Sequence, residues 1–321
     1  MQPKIEQLLG TIEVFLEQRL SFGLPYHEDS ATLQPYGWDV SLSGSFSPLN
    51  LIRSENWITQ TDPEVAVQNW KWSEEMGLAA PGMLECDHLC EDDDKNIKLD
   101  DDGKLARSAQ YQDLLDYVSV HLKNLAAYTL SCSGDYSLSL IVGQLPDQHW
   151  ICILPTVPQE TPNFANQEMK STLIKPAEVS SRIISEVETQ IQRMLDEVES
   201  IQTYGWYEGG YNHVHTYKIT HAVGETPDLA IENALVKAGL IEIYQFDQFD
   251  LGEQLSGYHS EEGKKIGERF EYLNQFLDKA FSDLRLYRFC FWDCEHLYFL
   301  DFQQPDDKAG IALHSQFTYN P

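Results

Sequence analysis

Thiol and imidazole side chains, which are common transition-metal ligands, cluster at two places in the sequence. The first cluster is Cys86, His88 and Cys90, and the second is Cys290, Cys294 and His296. A tetrahedral zinc site needs four such ligands, and its strongest sequence signal is a pair of Cys-x2-Cys knuckles. Both clusters have Cys-x3-Cys spacing instead, and Cys290 stands in an apolar segment, where cysteine usually behaves as a small hydrophobic residue. The spacing therefore favours neither a zinc site nor a cofactor.

Two further histidines, His213 and His215, alternate along a predicted strand and so share one of its faces. Such a pair can hold a metal ion if a carboxylate joins it. Histidines on strands are more often plain surface residues, and the first half of the chain has no equivalent pair. His213 and His215 are therefore weak metal candidates, as are the residues of the first cysteine cluster.

The densest acidic run lies in the first half of the chain. It consists of Glu91, Asp92, Asp93 and Asp94, followed by Asp100, Asp101 and Asp102. The closing Asp-Asp-Asp-Gly resembles part of a calcium loop, but the spaced oxygen ligands and the final glutamate are missing. Charge runs of this kind are usually solvated. We interpret residues 85–104 as an acidic insertion that is either a loop or a partner-binding segment, and calcium binding stays open.

Signatures of catalysis are absent from the sequence. It has no Gly-x-Ser-x-Gly elbow, no Walker loop, no Gly-x-Gly-x-x-Gly turn and no His-Glu-x-x-His helix. Sites made of scattered carboxylates leave no such signature, so an enzyme with an unsignalled carboxylate or metal site remains an alternative. The sequence favours a binding protein over an enzyme.

The net charge is the outstanding bulk property of this chain of 321 residues, at a formal −29 at pH 7. Such a surface repels phosphate backbones and anionic lipids, which argues against direct nucleic-acid or membrane binding. A basic protein, or one that carries a metal ion, is a better electrostatic match, although plain solubility explains the charge equally well. Neither a signal peptide nor an apolar run of membrane length is present, so we predict a reduced, cytoplasmic protein.

Comparison of the chain with itself reveals a repeat at a constant shift of 159 residues. The matched apolar pairs are Leu114 with Leu273, Val118 with Leu277, Leu122 with Phe281, Leu125 with Leu284 and Tyr128 with Tyr287. Their spacing of three or four residues is typical of one buried helix face. Two earlier segments also correspond, namely Gln34–Trp38 with Gln202–Trp206 and Pro63–Asn69 with Pro227–Asn233.

The repeat predicts two tandem copies of one domain, in residues 1–162 and 176–321, with a linker at 163–175. Each copy is predicted to be an α+β domain, an α/β/α sandwich with a mainly antiparallel sheet. In the second copy, Thr226-Pro227-Asp228 predicts a helix start, and Gly239 predicts its end. Residues 263–281 predict a long helix by their apolar spacing.

The C-terminal half of each copy resembles the bacterial nuclease A inhibitor family. These are small intracellular α/β/α proteins that block a sugar-nonspecific, metal-dependent endonuclease. The resemblance rests on an acidic stretch, a helix with apolar residues three or four apart, and short motifs after it. The motifs are Leu122-Lys123-Asn124 and Tyr128 in the first copy, and Tyr287-Arg288 and Ala309-Gly310-Ile311 in the second. The resemblance implies a protein without enzymatic activity whose partner is a nuclease.

In that family, acidic groups and the C-terminal carboxylate approach the basic cleft and the metal of the nuclease, since hard cations prefer oxygen ligands. The implied partner-binding residues here are Glu160, Thr161, Tyr258, Glu261, Glu262 and Pro321, the last as the C-terminal carboxylate. The family ends in Glu-Thr, whereas Glu160-Thr161 is followed by more chain and the sequence ends in Asn320-Pro321. An unrelated protein partner, bound through the acidic insertion Glu91–Asp102, is the alternative.

Overall fold

The structure is a computed structural model that describes residues 1–23, 30–79, 101–132, 137–156, 169–174, 184–207, 211–249, 261–291, 294–302, 307–316 and 319–320. It mixes helices with strands, and every strand pair in the described residues is antiparallel. The predicted α+β class with an antiparallel sheet is confirmed.

The helices of the described residues are α1 Pro3–Leu16, α2 Val40–Ser43, α3 Pro48–Ser54, α4 Pro63–Ala79, α5 Asp101–His121, α6 Glu186–Glu197, α7 Pro227–Lys237 and α8 Glu261–Ala280. Four of these helices, α2, α3, α6 and α7, begin at a side-chain cap. As predicted, the Thr226 side chain caps α7 by accepting a hydrogen bond from the Leu229 N–H at 3.2 Å. Gly239 follows α7 with a φ of 84°, the left-handed conformation that ends a helix.

The strands of the described residues fall into four sheets. They are β1 Ser21–Gly23, β2 Ser30–Thr32, β3 Gln34–Trp38, β4 Ile58–Thr61, β5 Lys123–Leu130, β6 Leu138–Gln144, β7 Trp150–Pro155, β8 Met169–Leu173, β9 Ile201–Tyr207, β10 Tyr211–Tyr217, β11 Ile219–Gly224, β12 Ile241–Phe249, β13 Leu284–Cys290, β14 Cys294–Asp301, β15 Lys308–Gln316 and β16 Tyr319–Asn320. The two large sheets have the orders β11-β7-β6-β5-β4 and β3-β15-β14-β13-β12-β8. The small ones are β1-β2 and β10-β9-β16.

Three apolar cores hold these layers together. The inner core lies between the two large sheets and includes α3 and α7. Helices α1 and α8 cover the outer face of the six-stranded sheet, and α4, α5 and α6 cover the outer face of the five-stranded sheet. The predicted buried helix face is confirmed for Leu114, Val118, Leu273 and Leu277, which are buried on α5 and α8. It is wrong for Leu125, Tyr128, Leu284 and Tyr287, which lie on β5 and β13, because the three-to-four spacing of apolar residues continues past the ends of the helices.

Strand pairing repeats between the two large sheets. The order β4-β5-β6-β7 recurs as β12-β13-β14-β15. Register recurs as well: Ile141 pairs with Ile153, and the residues 158 positions later, Phe299 and Ile311, pair with each other. Helices α3 and α7 end alike, because Asn56 and Gly239 both have a positive φ and each precedes the next strand.

Each half of the chain also supplies a strand to the other half's sheet. Strand β3 pairs with β15, and β11 pairs with β7. The outer cores follow the same exchange, since α1 packs with α8 and α6 packs with α5. These pairings cross the predicted linker at 163–175, so each large sheet contains strands from both sides of it. The division into residues 1–162 and 176–321 stays a prediction about the sequence.

Two of the sequence correspondences disagree with the strand pairing. Gln34–Trp38 forms β3 in the six-stranded sheet, whereas 202–206 lies in β9, which pairs with β10 and β16. By order and pairing the counterpart of β3 is β11. Similarly, α4 packs on an outer face while α7 lies between the sheets, where its counterpart is α3. A Tyr-Gly-Trp step or a proline-acid helix start is a local motif, and it does not fix which strand becomes the neighbour. The common origin of the halves stays a prediction.

Candidate functional site

A cluster of thiol and imidazole side chains lies between the large sheets at one end of β14. We define the histidine–cysteine cluster as Cys132, Cys294, His296 and His314, covered by Trp57. Cys132 follows β5. The N–H of its neighbour Ser131 donates a hydrogen bond to the Trp57 carbonyl at 2.8 Å, which holds Cys132 close to Trp57 at the start of β4. His296 and His314 lie directly opposite each other on β14 and β15.

The members of the histidine–cysteine cluster contact one another closely. Cys132 and Cys294 form a disulfide across a sequence separation of 162 residues. Ligand atoms of Cys132, Cys294 and His296 lie within 4.8 Å of one another, the one such group among the described residues. Nδ1 of His296 lies 2.5 Å from Nδ1 of His314. The Trp57 ring covers the His296 ring, with centroids 4.4 Å apart. Thiolate and imidazole groups of this kind bind zinc, so the set could do so only with the disulfide reduced.

Desolvation favours the neutral form of both histidines, of which His296 is buried and His314 is exposed at the edge of the cluster. Desolvation, aided by the neighbouring His314, lowers the pKa of His296 to about 3. Desolvation also lowers the pKa of His314. His296 Nε2 is buried and has no hydrogen-bond partner in the described part of the chain. When His296 Nδ1 carries the hydrogen and donates it to His314 Nδ1, the neutral imidazole presents a lone pair at Nε2, which is the form that binds a metal.

A second buried polar group lies on the other face of the same sheet. Arg288 on β13 donates to Glu242 Oε2 at 2.6 Å and to Glu295 Oε1. Tyr244 adds a hydrogen bond to Glu242 at 2.7 Å. Burial alone would lower the pKa of Arg288, but the charges of its partners, chiefly Glu295, raise it well above its usual range. These paired charges stabilise each other, and their arrangement is that of a structural ion-pair network.

The predicted metal candidates are not the residues that the structure brings together. Cys86, His88 and Cys90 lie outside the described residues. His213 and His215 lie on β10, opposite Gly205 and Thr203 of β9, and only their backbone is described. Of the second predicted cluster, Cys294 and His296 belong to the site, but Cys290 does not, and Cys132 takes its place.

The disulfide corrects one sequence expectation. The sequence predicts reduced cysteines throughout, yet Cys132 and Cys294 are bonded. Sequence reasoning missed Cys132 and His314 because each is an isolated residue far from the other members. Only the pairing of β15 with β14 and the contact between the sheets bring them together, so no local spacing could have identified them.

Of the ten predicted partner-binding residues, only Glu261 and Glu262 lie within the described residues. Glu91, Asp92, Asp93, Asp94, Glu160, Thr161, Tyr258 and Pro321 lie outside the described residues. Glu261 begins α8, is exposed, and forms an ion pair with Lys264 at 3.6 Å. Glu262 follows it on α8, but only its backbone is described. Their roles stay predictions.

Two matched helix pairs differ in charge. Seven carboxylates are exposed on α5 and α6: Asp101, Asp102, Asp113, Asp116, Glu186, Asp196 and Glu197. Two exposed basic side chains accompany them, Lys104 and Arg193. Among the side chains of α1 and α8 that the structure describes, which do not include Glu262, six exposed carboxylates accompany four exposed lysines. The carboxylates are Glu6, Glu13, Glu261, Glu268, Glu271 and Asp278, and the lysines are Lys4, Lys264, Lys265 and Lys279. We call these the α5–α6 face and the α1–α8 face.

Comparison with protein-family models, with curated proteins and with solved structures finds no match for this chain. The resemblance to the nuclease A inhibitor family therefore stays a prediction from the sequence motifs. In the part of the chain that the structure describes, every helix is too short or too polar to cross a membrane.

Proposed function

We propose that this chain is a non-enzymatic, cytoplasmic protein-binding protein that recognises a basic surface of its partner through the α5–α6 face. The observation that carries the proposal is the charge difference between two helix pairs in matching positions. Both pairs cover the outer face of a large sheet, so packing alone gives no reason for one of them to be so much more acidic.

The two helices of the α5–α6 face are held firmly against each other. Gln110 on α5 donates to the Glu197 carbonyl at 3.0 Å, and the buried Arg107 donates to the Glu199 carbonyl. A rigid acidic surface attracts a basic partner over a distance and raises the association rate, and it repels acidic competitors. Since α5 and α6 come from different halves of the chain, the face exists only in the folded whole.

The most specific version of the proposal makes the partner a metal-dependent, sugar-nonspecific nuclease, as the sequence resemblance implies. A nuclease has a basic cleft because it binds phosphate backbones, so an acidic protein can occupy that cleft. Duplication of one ancestral unit, followed by exchange of its opening helix and strand, would account for the repeated register. The unrelated protein partner remains the alternative.

The proposal is tested by titrating such a nuclease with the purified full-length chain at low salt and at about 0.15 M salt. We expect stoichiometric inhibition that weakens with salt. The double substitution Asp113→Lys and Asp116→Lys on α5 should weaken inhibition by about tenfold or more, because it reverses charge at the contact.

The matched control is the double substitution Glu268→Lys and Glu271→Lys on α8, which changes the same charge on the α1–α8 face. It should weaken inhibition much less. Equal loss from both variants would mean that net charge alone acts, and the α5–α6 face would then have no special role. An absence of inhibition by folded protein would exclude the nuclease. If instead only deletion of residues 85–98, which leaves α5 intact, abolished inhibition, the partner would bind the acidic insertion.

A further inference from the structure

The histidine–cysteine cluster contains a metal-binding donor set that becomes available when its disulfide is reduced. Cys132, Cys294 and His296 place two sulfurs and one ring nitrogen within 4.8 Å of one another. In a tetrahedral zinc site, bonds of about 2.3 Å to sulfur and 2.0–2.1 Å to nitrogen separate the ligand atoms by about 3.5–3.8 Å. Once reduced, the two sulfurs must move apart to reach that spacing, and the His296 ring, which has a nitrogen within 4.8 Å of both, is close enough to complete the set.

The orientation of His296 fits the role of a ligand. Its Nδ1 faces Nδ1 of His314, so Nε2 is the nitrogen left for an ion. That atom is buried without a hydrogen-bond partner in the described residues, and only 8% of the residue is exposed. A buried polar atom left without a partner costs free energy, so it is uncommon unless something binds it. His314 then resembles the hydrogen-bonding neighbour that commonly orients a metal-binding histidine.

The distance between the backbones of the two cysteines also suits two sulfurs that are not bonded to each other. Their Cα atoms are 7.3 Å apart, whereas disulfides usually span about 4.4–6.8 Å. Trp57 and Phe291, whose rings lie 4.4 and 6.1 Å from the His296 ring, shield the cluster with apolar surface. Such a shell strengthens the attraction between a divalent cation and two thiolates.

We propose that the reduced protein binds one Zn²⁺ through Cys132 Sγ, Cys294 Sγ and His296 Nε2, with His314 as a positioning residue and the fourth coordination position open to water. The ion would join the five-stranded sheet to the six-stranded sheet. The disulfide seen in the structure is then the closed state of a redox-controlled metal site. This inference does not depend on the proposed partner or on the α5–α6 face.

Opening the site requires a dithiol reductant. One of its thiolates attacks the disulfide to form a mixed disulfide, and its second thiolate then displaces the remaining protein sulfur. The reductant ends as its own disulfide, having given two electrons, while Cys132 and Cys294 end as thiols. Their two protons leave when Zn²⁺ binds, so affinity should rise with pH. A reducing compartment such as the cytoplasm would favour this open state.

The first test adds Co²⁺ and then Zn²⁺ to the full-length chain after treatment with a dithiol and removal of excess reductant. We expect one Co²⁺ per chain with a thiolate-to-metal charge-transfer band, displaced by Zn²⁺, and no such band in the disulfide form. Cys132→Ser and His296→Gln should each weaken Zn²⁺ binding by more than about 100-fold. His314→Gln should weaken it by about 10- to 100-fold.

The matched control is Cys290→Ala, which removes the nearby buried thiol outside the ligand set and should leave Zn²⁺ affinity unchanged. A second measurement needs no variant: Zn²⁺ should protect Cys132 and Cys294 of the reduced wild type from alkylation, as read by peptide mass spectrometry. The proposal is wrong if the charge-transfer band persists in Cys132→Ser. It is equally wrong if Zn²⁺ leaves alkylation of both cysteines unchanged.

Discussion

The five-stranded and six-stranded sheets share their pairing register but differ in chemistry. His296 and His314 occupy positions that correspond, 158 residues earlier, to Leu138 and Thr156. The Arg288–Glu242 pair of neighbouring strands corresponds to Thr129 and Thr59. The two histidines and the ion-pair group of Arg288, Glu242 and Glu295 therefore lie at one end of the six-stranded sheet. They occupy opposite faces of it. The difference shows that a repeated register fixes where side chains point and leaves open which chemistry they carry.

The strongest test of this difference is removal of the buried cation. Arg288→Met leaves Glu242 and Glu295 without their counter-charge in a buried site, and we expect the free energy of unfolding to fall by about 3–5 kcal/mol. Replacing both glutamates by glutamine in the same variant should restore much of the loss. Urea denaturation monitored by tryptophan fluorescence measures both effects.

The control for that comparison is Thr129→Val, at the corresponding place in the five-stranded sheet. Thr129 Oγ1 lies 3.0 Å from Ser139 Oγ, so the change removes one neutral hydrogen bond and should cost only about 1 kcal/mol. If Arg288→Met cost no more than Thr129→Val, the ion pair would contribute nothing and the contrast between the sheets would fail.

A second comparison concerns β15 and β7, the strands that pair with β3 and β11 from the other half of the chain. Gly310 on β15 corresponds to Cys152 on β7. A Cβ at Gly310 would lie 1.9 Å from the Phe299 carbonyl oxygen, so the backbone must shift. We expect Gly310→Ala to lower the free energy of unfolding by about 2–3 kcal/mol.

The matched variant there is Cys152→Ala, which keeps the Cβ and removes only the sulfur. It should cost about 1 kcal/mol, because a small buried group is lost. A thermal unfolding series on the two variants decides the point. Equal shifts of the midpoint would show that β15 tolerates a side chain as well as β7 does.

The smallest expected effect concerns the contact between the matched helices α3 and α7. Arg53 donates two hydrogen bonds to Asp228, at 2.7 and 2.8 Å, and this bonding lowers the pKa of Asp228. Because both side chains are substantially exposed, we expect Arg53→Gln to cost only about 0.5–1 kcal/mol at pH 7. A carboxyl whose pKa is lowered by folding stabilises the fold at any pH above the pKa that it has in the unfolded chain. This contribution is lost as the pH falls below about 4.

Urea denaturation of both proteins at pH 7 and at the lowest pH that keeps them folded measures that dependence. The difference between wild type and variant should shrink in acid. Arg193→Gln, which breaks an exposed pair within α6 at 3.5 Å, is the control and should cost less. A difference that grows in acid would contradict the assigned role of Asp228.

Local structure was predictable to a large extent. The cap at Thr226, the end at Gly239 and the apolar spacing of α5 and α8 all appear in the structure, because capping and amphipathic packing depend on residues a few positions apart. Long-range pairing was not predictable in this way. The stretch from His213 to Val223 reads as one strand, yet it divides at Lys218 into β10 and β11, which join different sheets.

The sequence by itself determined the charge, both ends of α7, and the α+β class. The tertiary structure alone decided that β3 pairs with β15 and β11 with β7, and that Cys132 meets Cys294 and His296. The physical reason is that a strand's hydrogen-bonding edge accepts many partners of similar apolar pattern. The choice among them depends on the packing of whole layers, which no short segment encodes.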